Sequence, residues 1–189
     1  MEAFFISMMA VAAAEFGDKT QFLALLFGAR FRRPFPIISG MLISTVVNHT
    51  MACAIGLWLR DHLATQLLRW SLGLLFLAVA LWFLHPDRGG GGDPPRLFGR
   101  FGAFGTSFLT FFLTEMGDKT QIATVILAAK FNSLIPVIAG TTLGIMLVNA
   151  PVIALGSVVA TQLPVRAVKF IGAAIFGGLG VLALSGFGI

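Results

Sequence analysis

Two seven-residue stretches constrain this chain more than anything else in it: EFGDKTQ at 15–21 and EMGDKTQ at 115–121. Each sets a glutamate, an aspartate and a lysine inside a run that is otherwise almost wholly apolar, with MEAFFISMMAVAAA before the first copy and FLALLFGA after it. The surrounding chain is 57% hydrophobic and 11% charged, with a mean hydropathy of +0.93. A soluble domain carries about a quarter charged residues. Apolar runs of bilayer-spanning length, roughly 17–25 residues, recur along the sequence. The chain therefore reads as an all-α, polytopic membrane protein, with the lipid bilayer as its solvent.

Six spans emerge, at 3–29, 34–59, 67–85, 102–129, 134–160 and 167–187. Glu2 and the lack of a basic leader mark the first as a retained helix, not a cleaved signal. HPDRGGGGDPPR has no apolar face and cannot continue a helix. Residues 86–100 are thus expected to link two transmembrane repeats of three helices each, 1–85 and 101–189.

The halves repeat at an offset of 100. Six of the seven motif positions match, and so do Ala29, Phe31, Pro36, Ile38, Gly40 and Gly56 with Ala129, Phe131, Pro136, Ile138, Gly140 and Gly156. Three spans per half is an odd number, so the second half must enter the membrane in the opposite sense, the inverted-repeat plan of many secondary transporters. With the N-terminus outside, the inner loops hold Arg30, Arg32, Arg33, Arg88, Arg96, Arg100, Arg166 and Lys169; the outer ones hold only Arg60, Arg69 and Lys130. The positive-inside rule then puts both termini outside. It also explains the net charge of +5 without a nucleic-acid partner. Trp58, Trp70 and Trp82 fall near span ends, where interfacial aromatics belong.

A central Asp or Lys costs roughly 2.5–3.5 kcal/mol on insertion scales, so the motif charges are expected to face one another or water. On a continuous helix Glu15, Asp18 and Lys19 share one face by their i, i+3, i+4 spacing. Gly17 either lets helices approach closely or marks a break in the helix. Inversion about an in-plane axis brings both motifs to one depth. The simplest result is one site of Glu15, Asp18, Glu115 and Asp118, with Lys19 and Lys119 in charge balance. Its formal charge is −2, which one divalent cation or two protons neutralise. Carboxylates with hydroxyl and amide oxygens suit hard cations. Thr20, Gln21, Thr120 and Gln121, and also Asn48 and Asn149 at span centres one residue out of register, are secondary candidates to supply such oxygens. Interhelical hydrogen bonding is the plainer role for the asparagines. A buried tie of Glu15 to Lys19 and Glu115 to Lys119 is the plainer account of the charges, but it leaves Asp18, Asp118 and their duplication unexplained. His49 reads as a satisfied structural group, and Ser44, one turn before Asn48, as packing. The lone Cys53 excludes an intrachain disulfide.

Two E-x-G-D-[KR]-[TS] motifs, each in the first helix of a three-helix half, resemble the signature of the cation/proton antiporter family of the Golgi manganese/calcium exchangers. That family has chloroplast relatives and bacterial members that include manganese exporters. The resemblance covers the whole chain. It implies exchange of Mn²⁺ or Ca²⁺ for H⁺, with Glu15, Asp18, Glu115 and Asp118 binding both cation and proton. No cofactor beyond the transported ion is implied, and the chain is not expected to be an enzyme. The absence of the leader and long acidic loop of many eukaryotic relatives points to a bacterial plasma (inner) membrane. A homo-oligomer is compatible with this plan.

Other classes fit less well. An intramembrane aspartyl protease carries G-x-G-D and a Tyr-Asp pair, whereas both copies here begin with Glu and the chain has no tyrosine. An amino-acid exporter could use the lysines against a substrate carboxylate, but four acids outnumber them. A cation channel needs a continuous wet path, which inverted repeats with midplane ionisable groups do not favour.

Overall fold

A computed structural model describes residues 1–84, 101–155 and 165–185, and across these the chain is helical apart from short connections. Among the described residues there are eight helices: α1 (Glu2–Glu15), α2 (Lys19–Phe31), α3 (Pro34–His62), α4 (Thr65–Leu84), α5 (Gly102–Glu115), α6 (Lys119–Phe131), α7 (Leu134–Leu155) and α8 (Val165–Ser185). The Gly/Pro-rich stretch 86–100, the Trp82 side chain and the end of the fifth expected span lie outside the described residues. Among the described residues, two helices, Pro34–His62 and the Leu134–Ala154 part of α7, are long and apolar enough to cross a membrane.

The first and fourth expected spans are not continuous helices. Each breaks inside its motif, into α1 and α2 or α5 and α6, and the two breaks are alike. Phe16 and Met116 both adopt φ −65, ψ 117, which ends the preceding helix. Gly17 and Gly117 follow at φ 74 and φ 75, the left-handed region that glycine enters without a Cβ penalty. Asp18 and Asp118 are extended at ψ 171 and ψ 164 and occupy the N-cap position of the next helix. The motif glutamines close the turn: Gly17 N–H donates to Gln21 Oε1 (3.0 Å) and Gly117 N–H to Gln121 Oε1 (2.7 Å). The second helices also end alike, with Arg32 and Asn132 at φ 50 and φ 47 and their N–H groups on Gly28 and Ala128 carbonyls.

Packing runs between the sequence repeats. The first helix of each repeat lies along the long helix of the other, α1 on α7 and α5 on α3, while α4 pairs with α8. Glycine makes the first two approaches close. A Cβ on Gly140 would lie 2.4 Å from the Phe4 carbonyl oxygen, and one on Gly40 would lie 2.6 Å from that of Phe104. These are the same contact taken reciprocally. Phe76 and its repeat mate Phe176 meet each other, with ring centroids 6.0 Å apart. Gly180 packs on Gly73 and Leu77 of α4, whereas Gly177 and Gly178 of the same GGLG stretch face open space.

The distribution of polarity is inverted relative to a soluble protein. Leu74, Ile135, Phe170 and Val181 are more than half exposed, as is Trp58 near the end of α3. Ser7, Thr45, Asn48, His49, Ser107, Thr124, Thr141 and Asn149 are buried, along with most of the motif charges. An apolar exterior around a polar interior suits hydrocarbon surroundings, in which polar groups must be satisfied internally.

Candidate functional site

The helix breaks decide how the motif side chains are presented. Three residues intervene between α1 and α2, so Glu15, Asp18 and Lys19 do not share the face of one continuous helix. The lysines pair across the repeats and not along one helix with Glu15 and Glu115. Lys19 Nζ lies 2.8 Å from Asp118 Oδ1, and Lys119 Nζ lies 3.0 Å from Asp18 Oδ1. The two aspartates that an intrahelical reading left over are therefore the lysines' partners.

Each glutamate is held from the opposite repeat, and Glu15 is held locally as well. Thr20 Oγ1 donates to Glu15 Oε1 across the break, and Asn149 Nδ2 on α7 donates to the same oxygen at 2.9 Å. Glu115 accepts from Thr45 Oγ1 on α3, 3.2 and 3.3 Å from its two carboxylate oxygens. Asn48 donates to the Phe112 carbonyl (3.1 Å), one turn before Glu115. Thr120 donates to Asp118 Oδ2 through its N–H and hydroxyl, both at 3.5 Å. Of the secondary candidates, Thr20, Asn149 and Thr120 thus touch motif carboxylates directly. Gln21 and Gln121 instead have their amide oxygens committed to the turns. Ser44 bonds the Met41 carbonyl within its own helix. His49 is buried with Nδ1 2.6 Å from Thr141 Oγ1, a contact between α3 and α7.

Among the described residues, no three His, Cys, Asp or Glu side chains come close enough to hold a metal ion together. An ammonium group accompanies each aspartate. Four buried oxygens around the motifs nonetheless lack a hydrogen-bond partner among the described residues: Glu15 Oε2, Asp18 Oδ2, Asn48 Oδ1 and Asn149 Oδ1. Buried polar atoms are nearly always satisfied, so unpartnered oxygens near carboxylates form a donor set for protons, water or a hard cation.

Two contributors were missed in the sequence. Thr45 precedes Asn48 by three residues and so shares its helix face, a spacing that could have revealed it. Thr141 has no polar counterpart at the 100-residue offset, where Met41 stands, and gave no such signal.

The family model of the divalent cation/proton antiporter GDT1 matches residues 3–90 and 103–186, which takes in both motifs. The chain belongs to the GDT1 family. This is a family of transporters, not of enzymes. A Vibrio cholerae protein named "Putative manganese exporter" is 42% identical over 177 residues, covering 93% of this chain and 87% of the relative. GDT1-like protein 3 of Oryza sativa subsp. indica is 30% identical over 205 residues, 95% of this chain and 72% of the plant protein. A GDT1-like protein of Synechocystis is 26% identical over 198 residues, with 93% of each chain covered. No solved structure matches.

Proposed function

We propose that this chain exports a divalent cation, Mn²⁺ and/or Ca²⁺, from a bacterium across its inner membrane in exchange for protons, by alternating access. The observation that carries this reading is the reciprocal meeting of the two motifs, Lys19 with Asp118 and Lys119 with Asp18. Contacts in which residue i meets j+100 and i+100 meets j belong to a two-fold arrangement, as at an isologous interface. They support two inverted repeats of three spans each, with α1–α2 and α5–α6 as broken spans. Broken helices near the membrane middle are where secondary transporters bind ions, because helix ends and freed backbone groups are available there.

Glu15, Asp18, Glu115 and Asp118 are the groups that take cation or protons. Asn149, Asn48, Thr20, Thr45 and Thr120 orient them or add oxygen ligands. A cation entering this set replaces a lysine ammonium at an aspartate and gains the unpartnered oxygens of Glu15 and Asn149. Manganese finds a precedent in the name of the Vibrio relative. Arginine-rich connections keep both termini outside. Purified protein in liposomes tests the reading: Mn²⁺ or Ca²⁺ uptake should be driven by an imposed pH gradient and accompanied by opposite proton movement. Metal flux without proton movement would indicate a channel, and amino-acid flux without metal would indicate an exporter of another class.

A further inference from the structure

The two ion pairs are equivalent in sequence and in length, but not in setting. In the Lys19–Asp118 pair the lysine side chain is 44% exposed and the aspartate 7%. In the Lys119–Asp18 pair the values are 3% and 2%. The asymmetry extends beyond one side-chain conformation. Gly117 and Met116, beside Asp118, are exposed, whereas Gly17 and Phe16, beside Asp18, are partly buried. The helices that carry the lysines differ as well. α6 is embedded, packing along α3 and touching α1, α4 and α7, and it buries Lys119, Thr120, Ala123, Thr124 and Ile126. Among the described residues, α2 packs chiefly against α7, and it buries Thr20, Ala24 and Phe27.

An ammonium group near the middle of a span is not left in hydrocarbon, so an exposed Lys19 would need water beside it. An ion pair in water is weak and exchanges easily. A pair sealed from water strongly resists separation, because each partner left alone would be an uncompensated buried charge.

We propose that the two cross-repeat pairs are the two gates of the carrier, with Lys19–Asp118 at the open mouth and Lys119–Asp18 closing the other side. This rests on the antiport reading and on the inversion of the repeats. Each lysine is a tethered cation that occupies an aspartate until a metal ion arrives from its own side. In the opposite-facing state the repeats exchange roles: α2 becomes embedded, α6 peripheral, and Lys119–Asp18 hydrated. Lys19 and Lys119 are accordingly positioning residues that set which side of the membrane reaches the carboxylates.

The test is the sidedness of single cysteines in a Cys53→Ala background, where the buried native thiol is removed. Lys19→Cys and Lys119→Cys proteins, in liposomes of known orientation, are exposed to a membrane-impermeant cationic methanethiosulfonate from either face. Lys19→Cys should react from one face only, and Lys119→Cys from the opposite face only. Aminoethyl methanethiosulfonate, which attaches a new ammonium at the cysteine, should restore transport at either position, an effect that mere packing would not produce. If Lys119→Cys fails to fold, Asp18→Cys reports the same gate. Reaction of both positions from the same face, or of both equally from each face, overturns the proposal. Mn²⁺/H⁺ exchange by the Cys53→Ala parent is measured in the same vesicles. Exchange by the parent with the wrong sidedness sinks the gates alone, while no exchange by the parent sinks the antiport reading beneath them.

Discussion

At the residue scale, the motif acids differ in what holds them. The aspartates are paired with lysines across the repeats, and the glutamates with neutral donors, Thr20 and Asn149 for Glu15 and Thr45 for Glu115. If all four bind cation or proton, Glu15→Ala, Asp18→Ala, Glu115→Ala and Asp118→Ala should each reduce metal uptake to that of empty liposomes while folded protein remains in the membrane. Wild-type flux in all four variants would remove the site assignment. Asn149→Leu and Thr45→Val leave the acids in place and remove a partner, so their effect should be graded. Loss of a group that orients a ligand typically costs about 10–100-fold in metal affinity or activity. A titration of Mn²⁺-dependent uptake would show this as a raised half-saturation concentration.

At the scale of elements, the sequence motif is a helix break together with its caps. Glycine permits the left-handed residue, aspartate starts the next helix, and glutamine accepts the glycine N–H, so three of the seven letters of each motif serve backbone geometry. Gly117→Ala should destabilise by about 1–2 kcal/mol, the cost of left-handed backbone for an L residue. Gly140→Ala tests a different constraint, since its new Cβ would lie 2.4 Å from the Phe4 carbonyl oxygen and force α1 away from α7. Overpacking of this kind costs about 1–3 kcal/mol. Gly178→Ala is the control, having no atom within 4 Å of the added Cβ. Thermal unfolding in detergent should rank Gly140→Ala and Gly117→Ala below the parent and Gly178→Ala level with it. A Gly140→Ala protein as stable as the parent would argue against the close α1–α7 packing.

For the whole molecule, the relevant quantity is the charge carried across the membrane. Four carboxylates and two lysines in ammonium–carboxylate pairs sum to −2, and one divalent cation or two protons cancel that sum. Moving a net charge through the membrane potential is worth about 2.3 kcal/mol per 100 mV, and a neutral occupied carrier avoids this term in both directions. Exchange of one divalent cation for two protons should therefore follow the pH gradient and ignore voltage. Acidification on the metal-loading side should weaken metal binding, because protons compete for the same carboxylates. Liposomes clamped with potassium and valinomycin provide the measurement. A rate that changes several-fold with voltage at zero pH gradient would rule out this stoichiometry while leaving the binding residues untouched.

The sequence by itself determined the all-helical plan, the duplication and the acids. Apolar runs admit few structures in lipid other than helices, and a charged motif repeated at an offset of 100 is legible without coordinates. The helix break was foreseen only as one of two roles for Gly17, since glycine serves close packing and a left-handed turn equally well and the choice depends on neighbours. Partner choice was not legible. Spacing along one helix suggests Glu15 with Lys19, but the break separates that pair, and the packing of α1 on α7 and α5 on α3 brings the opposite repeat within reach. Thr45 at Glu115, Asn149 at Glu15 and the crossed lysine–aspartate pairs are contacts between residues some 70 to 134 positions apart, or a repeat length in the case of the pairs. The unequal exposure of those two pairs is likewise a property of the tertiary structure. Two nearly identical heptapeptides cannot encode different environments; the elements packed around each one decide which lysine meets water.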